Sequence, residues 1–294
     1  MWANRPGGGA ADTPGWTQRA VPNLYPVLGA GGTQAASSGG ERESGFASSI
    51  DPLGSSARGG NFDLFTAQRA AGAHEVIVNT PEHATRLSEL SEDVLGAAIG
   101  AWRERMRAHA EAALVHVIVN EGPDAGASRE HTHAQLYALG FVPATVARER
   151  ERARAYHERT MGSHLLGDVA VEEIRRRDRL VAVDDDALLI CPWASRLPFE
   201  LRVVPRRPGP RFEDDSAGAG MIAAGLRALS GALGAPPQLN LWIRTAPRGA
   251  EEFCWHVDIV PRLTIQAGFE LGTEVPINVY PPERAAADLR AALG

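Results

Sequence analysis

The order of predicted strands and helices repeats once along this chain of 294 residues. In each half a strand rich in β-branched residues precedes a helix, and two more strands follow that helix. The first copy consists of a strand at 74–80, a helix capped by Ser91, a strand at 114–120 and the strand after it. The second copy consists of a strand at 199–205, a helix at 218–233 and strands at 239–245 and 253–260. Two matching copies predict the duplication of one α+β unit.

The length of the chain agrees with two fused halves, because 294 residues exceed the usual size of one hydrophobic core. We expect an N-terminal half at 1–150 and a C-terminal half at 151–294, each an antiparallel sheet with helices packed on it. Residues 27–62 are rich in Gly, Ser and Ala and contain few large apolar side chains. This composition predicts a flexible loop within the first half.

Composition limits the class of protein. The chain is 44% hydrophobic and 22% charged, which is typical of globular proteins, and its net charge of -6 argues against non-specific nucleic-acid binding. The longest apolar run, 187–194, is far shorter than the roughly 20 residues that cross a bilayer, so we expect no membrane segment and a cytoplasmic location. The two cysteines, Cys191 and Cys254, lie in apolar stretches and are predicted to be buried free thiols.

Two histidines and a glutamine follow a Gly-Ala-Ser turn at strict two-residue spacing. In a β-strand, His131, His133 and Gln135 would all point to one face. An imidazole in such a row can attack phosphorus and hold a covalent intermediate, and the amide beside it can hydrogen-bond to a phosphoryl oxygen. The spacing therefore indicates phosphate chemistry, with a solvated strand edge as the alternative.

Eight segments in order resemble the galactose-1-phosphate uridylyltransferase family, the transferase branch of the histidine-triad superfamily. They lie at 19–26, 74–78, 81–83, 120–122, 126–128, 131–135, 253–258 and 268–273. The resemblance runs from about residue 16 almost to the C-terminus. It implies an α+β fold made of two tandem histidine-triad-like repeats, the second with a degenerate motif.

The resemblance also implies ping-pong nucleotidyl transfer. His133 matches the nucleophile, which would attack the α-phosphorus of UDP-glucose, release glucose 1-phosphate and become a uridylyl-histidine. Galactose 1-phosphate would then accept the uridylyl group to give UDP-galactose. Gln135 would hydrogen-bond the transferring phosphoryl group, since a sugar 1-phosphate leaves as an anion and needs little protonation.

Three further residues match binding positions of the family. Ser128 corresponds to a phosphate contact, Asn120 to a residue that fixes the nucleophile region and nucleotide, and Asn23 to part of the uracil and ribose pocket. Each also has a simple structural explanation. Asn23 follows a proline as turn residues often do, Asn120 ends a strand, and Ser128 could cap its turn.

The family's metal sites match this chain only in part. Many relatives hold a structural zinc with a Cys-x-x-Cys pair and two histidines, which correspond here to His83 and His131; the cysteine pair is absent. Two imidazoles alone would bind zinc weakly, so the alternatives are a zinc at this pair and a zinc-free protein. A second site of some relatives, for iron or zinc, corresponds to Glu149, Ile243, His256 and Asp258. Isoleucine cannot coordinate a metal, and we expect His256 and Asp258 to form a hydrogen-bonded structural pair.

Two other activities fit the same residues. An ADP-sugar or dinucleoside-polyphosphate phosphorylase would use the same histidine with an adenylyl group, and would differ in the base pocket around Asn23 and in taking phosphate as acceptor. A catalytically silent nucleotide-binding module is the alternative from another class, and the intact His133 and Gln135 argue against it. By resemblance, the partners are a UDP-sugar, a sugar 1-phosphate and a second copy of the chain in a homodimer.

Overall fold

The strands lie in one ten-stranded sheet in the computed structural model, which describes residues 1–29 and 70–294. All pairs of neighbouring strands are antiparallel. The strands are β1 (Trp2–Asn4), β2 (Gln18–Pro22), β3 (Gly72–Val78), β4 (Leu114–Glu121), β5 (His133–Leu139), β6 (Leu180–Val183), β7 (Ala187–Ile190), β8 (Leu201–Pro205), β9 (Leu239–Arg244) and β10 (His256–Pro261). Their order across the sheet is β1-β2-β3-β5-β4-β9-β10-β8-β7-β6.

Six α-helices accompany the sheet in the described part of the chain. They are α1 (Glu92–Ala108), α2 (Ala144–Arg159), α3 (Leu165–Arg176), α4 (Ala219–Leu233), α5 (Gly268–Thr273) and α6 (Pro282–Leu293). Ser91 caps α1 by accepting a hydrogen bond from the Val94 amide at 3.4 Å, as the sequence predicts. None of the helices in the described residues is long and apolar enough to cross a membrane.

The two predicted copies meet at the centre of the sheet, where β4 pairs with β9. Outward from this seam the order is β4, β5, β3, β2, β1 on one side and β9, β10, β8, β7, β6 on the other. The α+β fold class is confirmed, but the two expected sheets are joined into one. Pairing at the seam satisfies backbone groups that two separate sheets would leave as exposed edges. Residue 150 lies inside α2, and the division into two domains stays a prediction.

One face of the sheet carries the main apolar core. Helices α1 and α4 pack on this face, and α6 packs on α4. Odd-numbered residues of β4 and β9, such as Val117 and Leu241, point into this core and are fully buried. The alternation leaves the even-numbered residues of both strands on the opposite face.

The opposite face differs between the two halves. In the second half, Ala170 of α3 covers Leu188, Ile190 and Val204 in a smaller apolar cluster. In the first half the same face carries polar and half-buried side chains of β3, β4 and β5. The predicted flexible loop begins at residue 27, and its part from residue 30 onward lies outside the described residues.

Candidate active site

His133 is the first residue of β5 and lies on the polar face of the first half. Its Nδ1 lies 2.8 Å from the carbonyl oxygen of His131. A carbonyl can only accept a hydrogen bond, so Nδ1 carries a proton, and Nε2 is the ring nitrogen that can offer a lone pair. Within the described ranges no protein group bonds to this Nε2, and the residue is 8% exposed. The arrangement leaves Nε2 as the ring nitrogen that can act as a nucleophile.

A buried hydrogen-bond network fixes the chain just before His133. Asn79, at the end of β3, is fully buried and accepts a hydrogen bond from Trp102 Nε1 at 2.9 Å. Its Nδ2 donates to Thr132 Oγ1 at 3.1 Å, and the Thr132 amide donates to the Ala84 carbonyl at 2.8 Å. Because Thr132 directly precedes His133, this network fixes where β5 begins.

Gln135 lies two residues beyond His133 on the same face, as the spacing predicts. Its Oε1 accepts a hydrogen bond from Tyr137 Oη at 2.9 Å and lies 3.1 Å from His74 Nε2. The His74 and Tyr137 rings stack with centroids 4.2 Å apart. Burial lowers the pKa of His74, against the opposing effect of its hydrogen bond to Gln135, so the ring is neutral near pH 7.

Sequence reasoning missed His74 and Tyr137 as members of this site. The signal was the two-residue period, which puts Tyr137 on the face of Gln135. His74 faces Tyr137 directly in the register between β3 and β5. That register is a long-range pairing, so the sequence alone did not place His74 here.

Asn23 reaches the same group of residues. Its Oδ1 accepts a hydrogen bond from the Tyr25 amide at 2.9 Å, which is the turn role that its sequence position suggests. Its backbone amide donates to the His74 carbonyl at 2.8 Å, and its Nδ2 lies 3.1 Å from His74 Nε2. The turn therefore holds Asn23 beside His74 and close to Gln135.

Asn120 and Ser128 occupy different surroundings. Asn120 Oδ1 accepts a hydrogen bond from Asn240 Nδ2 at 2.8 Å across the seam between β4 and β9. The same Nδ2 lies 2.8 Å from the Ala125 carbonyl in the turn that precedes Ser128. Ser128 itself is exposed in the segment leading to β5. Asn240, which links these parts, belongs to the second half and was not expected.

The predicted zinc pair does not form a closed site with the side chains described. The rings of His83 and His131 have centroids 5.8 Å apart, and His131 Nε2 lies 2.9 Å from the Thr80 carbonyl. His131 precedes β5, so its ring leaves the row that His133 and Gln135 share. The described ranges 1–29 and 70–294 contain no cluster of three His, Cys, Asp or Glu residues arranged to hold a metal. This donor set does not fit a structural zinc, which needs about four ligands.

Residues matching the second metal site gather around arginines. Arg202 binds Asp258 with two hydrogen bonds of 2.7 and 3.2 Å. His256 Nε2 lies 3.5 Å from Glu149 Oε1 and 3.7 Å from Asp258 Oδ2, an ion-pair distance. The expected hydrogen bond between His256 and Asp258 is therefore wrong, because Arg202 and Trp242 take up the Asp258 carboxylate. Ile243 points to the opposite, apolar face.

Electrostatics in this second network favour fixed charges. Burial alone would raise the pKa of Asp258, but the Arg202 guanidinium outweighs it, and the pKa falls to about 2. Burial, reinforced by Arg202, lowers the pKa of His256 to about 3. At neutral pH the network therefore contains a neutral imidazole and a guanidinium–carboxylate pair. These residues do not fit a cation site, because a guanidinium already compensates the carboxylate.

A cavity of about 680 Å³ opens beside this second network. Residues of α2, α3, β8, β9 and β10 line it, and His256 and Asp258 are among them. Of the five arginines that line it, Arg196, Arg202 and Arg244 lie within ion-pair distance of Glu200, Asp258 and Glu149, respectively. His133 and Gln135 are not part of its lining, so the cavity is separate from these two residues.

Known proteins resemble the whole chain and, separately, its first half. The family model described as galactose-1-phosphate uridyl transferase, N-terminal domain, matches residues 48–143. An ADP-glucose phosphorylase from Arabidopsis thaliana is 28% identical over 291 residues, which cover 94% of this chain and 75% of that protein. A galactose-1-phosphate uridylyltransferase from Haemophilus influenzae is 31% identical over 144 residues, or 49% of this chain and 41% of that protein.

Solved structures share the fold. The crystal structure of an ADP-glucose phosphorylase from Arabidopsis thaliana with bound ADP-glucose covers 95% of this chain, with a TM-score of 0.74 and 25% identity; 83% of that chain is matched. A structure of uridylyltransferase covers the whole of this chain and 93% of its own, with a TM-score of 0.79 and 24% identity. The second likeness concerns the fold alone.

The fold and these relatives together define a nucleotidyltransferase. The resemblance to the galactose-1-phosphate uridylyltransferase family that the ordered motifs indicate is confirmed by the family model over residues 48–143 and by these relatives.

Proposed function

We propose that this chain transfers a nucleotidyl group from a nucleoside diphosphate sugar through His133. The observation that carries the proposal is the hydrogen bond from His133 Nδ1 to the His131 carbonyl, which leaves the Nε2 lone pair free. The neutral amide of Gln135 lies on the same face of β5. A nucleophilic nitrogen next to a hydrogen-bond donor suits attack on a phosphoryl group.

The reaction proceeds in two balanced steps. His133 Nε2 attacks the α-phosphorus of the donor, a nitrogen–phosphorus bond forms, and the bond to the bridging oxygen breaks. The electron pair leaves with sugar 1-phosphate as its anion. In the second step an acceptor phosphate oxygen attacks the same phosphorus and returns the electron pair to His133. The Gln135 amide donates to the transferring phosphoryl oxygens in both steps.

The donor and acceptor are assigned in order of support. Likeness to an ADP-glucose phosphorylase extends over 94% of the chain, which favours an ADP-sugar as donor and inorganic phosphate as acceptor. Exchange between UDP-glucose and galactose 1-phosphate is the second candidate. It is supported by the family model and by uridylyltransferases matched over about half of this chain.

Three residues are proposed to bind the donor or to hold the segment that binds it. Asn23 would contact the nucleoside from its turn beside His74, and Ser128 would contact the phosphates from the exposed segment before β5. Asn120 would hold the segment through Asn240, which bonds both Asn120 and the Ala125 carbonyl.

The experiment incubates the purified chain with ADP-glucose or UDP-glucose carrying ³²P at the α-phosphorus. Acid-labile, alkali-stable label on the protein is expected with the preferred donor. Labelled protein is then given phosphate or galactose 1-phosphate, and the nucleotide product is identified. Release as ADP by phosphate supports phosphorolysis, whereas release as UDP-galactose supports uridylyl exchange. Absence of label with both donors would contradict the proposal and favour a silent nucleotide-binding module.

A homodimer is proposed on the basis of an exposed apolar segment near the C-terminus. Between residues 263 and 279 seven large apolar side chains are exposed, of which Ile265 at 93% and Val279 at 72% are the most extreme. Helix α5 within it has no buried residue. Contiguous exposed apolar surface marks an interface. Sedimentation of the wild type as a dimer and of an Ile265→Asp, Leu271→Asp double variant as a monomer would support the proposal.

A further inference from the structure

The Gln135 side chain is held at its oxygen. Tyr137 Oη donates to Gln135 Oε1 at 2.9 Å, and His74 Nε2 lies 3.1 Å from the same atom. A carboxamide has an oxygen that accepts and an NH2 group that donates. With both protein contacts at the oxygen, the NH2 group has no protein acceptor in the described ranges. It is therefore available to a group from outside the protein.

The proton on the His74 ring determines which way this amide points. His74 Nδ1 lies 3.4 Å from the Val27 backbone amide, which can only donate. Nδ1 is therefore the acceptor, and Nε2 carries the proton. Asn23 Nδ2 also approaches Nε2, but it is a second donor, so the Nε2 proton goes to Gln135 Oε1.

The ring that carries this proton is itself fixed. His74 is 6% exposed, stacks on Tyr137 at 4.2 Å and 23°, and pairs with it in the register of β3 and β5. Stacking and register together leave the imidazole little freedom to turn. The contact to Gln135 is therefore a property of two paired strands and not of a mobile side chain.

We propose that His74 and Tyr137 are positioning residues, which orient the Gln135 amide so that its NH2 group faces the phosphoryl group carried by His133. This inference rests on the proposed function. A Gln135 amide turned by 180° would present its oxygen to an anionic phosphate, and its NH2 group would meet the His74 proton. Both contacts are repulsive, so the two donors at Oε1 select the productive orientation.

Single-turnover labelling from the preferred donor tests the idea through two substitutions. His74→Phe keeps a ring to stack on Tyr137 and removes the Nε2 proton, and Tyr137→Phe removes only the hydroxyl. We expect each to slow formation of the labelled histidine by about 10- to 100-fold, with little change in the donor concentration for half-maximal rate. In a Gln135→Ala background neither substitution should slow labelling further, because both act through the Gln135 amide.

Matched controls lie away from the site. His109→Phe and Tyr156→Phe remove side chains that bond to Glu75 on the other face of β3 and to Asp168 of α3. Both controls should label at the wild-type rate. If the His74 and Tyr137 substitutions slow labelling equally with and without Gln135, or raise only the half-maximal donor concentration, the positioning role is overturned while the nucleotidyl transfer stands.

A second readout does not need activity. Imidazole ¹⁵N chemical shifts of the wild-type protein should show His74 protonated at Nε2, and the Gln135 side-chain amide signals should move in His74→Phe but not in His109→Phe. A His74 ring protonated at Nδ1 would overturn the inference whether or not the protein is labelled. Failure of labelling by every donor, with this tautomer present, would overturn the proposed function and with it the catalytic use of the orientation.

Discussion

The two halves of the sheet place a histidine at the same position and give it different neighbours. His133 begins β5 and His256 begins β10, and each strand is the second from the seam. In both, Nδ1 lies close to the carbonyl oxygen two residues earlier, at 2.8 Å in the first half and 3.4 Å in the second. The backbone therefore fixes the same ring tautomer twice.

The residue two positions later separates the two sites. Gln135 in the first half is neutral, whereas Asp258 in the second is an anion held by Arg202. Glu149 of α2 adds a second carboxylate beside His256. An incoming phosphate would meet negative charge there, because carboxylate oxygens of Glu149 and Asp258 lie 3.5 and 3.7 Å from His256 Nε2. The same backbone position thus carries the proposed nucleophile in one half and an ion network in the other.

The two halves also differ on the core face of the sheet, where two matching backbone amides have different side-chain acceptors. The amide of Leu87 donates to the Glu121 carboxylate at 2.5 Å at the end of β4. The matching amide, that of Phe212, donates to the Thr245 hydroxyl at 3.1 Å just after β9. One half therefore uses a buried ionisable acceptor where the other uses a neutral hydroxyl.

The largest difference between the two halves is expected in protein labelling when His133 and His256 are each replaced by alanine. His133→Ala should abolish acid-labile labelling, a loss of at least about 10³-fold, because the nucleophile is absent. His256→Ala should retain labelling, since its Nε2 faces carboxylates and lies outside the site. Both variants are assayed by ³²P labelling after circular dichroism confirms that they are folded. Label persisting in His133→Ala, or lost only in a folded His256→Ala, would reverse the assignment of the two halves.

At the positions two residues later, substitution should lower the free energy of unfolding more in the second half than in the first. Asp258→Ala leaves Arg202 and Trp242 without their buried partner and should lower the free energy of unfolding by about 3 to 5 kcal/mol. Gln135→Ala removes a half-buried amide and should cost about 1 kcal/mol while slowing labelling. Urea denaturation measures both. Equal losses of stability would show that the Arg202–Asp258 pair is not the stronger structural element.

The acceptors on the core face predict different responses to pH. Burial raises the pKa of Glu121 to about 7, from its ordinary value of 4.5. Between these values the folded chain holds a proton that the unfolded chain has lost, so stability falls as pH rises from 4.5 to 7, by up to about 3 kcal/mol. Glu121→Gln should remove this part of the pH dependence, and Thr245→Val at the matching position should leave it unchanged. Parallel stability curves for the wild type and Glu121→Gln between pH 5 and 8 would contradict the raised pKa.

Local patterns in the sequence were sufficient to predict most helices and strands and the row of polar side chains on β5. The cap at Ser91, the alternation of β4 and the common face of His133 and Gln135 all follow from short-range periodicity. The single sheet did not follow, because the pairing of Asn120 with Asn240 joins residues 120 positions apart. No local signal specifies which strands meet at the seam.

Contacts of the ring nitrogens were also beyond the sequence. His131 and His133 belong to the same row at two-residue spacing in the sequence. In the structure His131 precedes β5 and bonds to the Thr80 carbonyl, whereas His133 lies on the polar face of the sheet. The expected pair of His256 and Asp258 failed for a related reason, since Arg202 arrives from a neighbouring strand 56 positions away. The register between strands determines which residues contact each side chain, and these contacts set its charge and hydrogen bonding.

The smallest effect is expected from treating the native protein with a thiol reagent. Of the two cysteines, Cys254 matches His131 of the first half in its position along the chain. Cys254 provides the carbonyl near His256 and is buried, as is Cys191. Burial raises the pKa of Cys254 to about 12 and also raises that of Cys191. At pH 8 on the order of one Cys254 thiol in 10⁴ is ionised, so native protein should not react with a thiol reagent while urea-unfolded protein reacts twice. Rapid reaction of the native protein that is lost in Cys254→Ala would contradict this prediction. It would show that Cys254 is accessible to solvent in the folded protein.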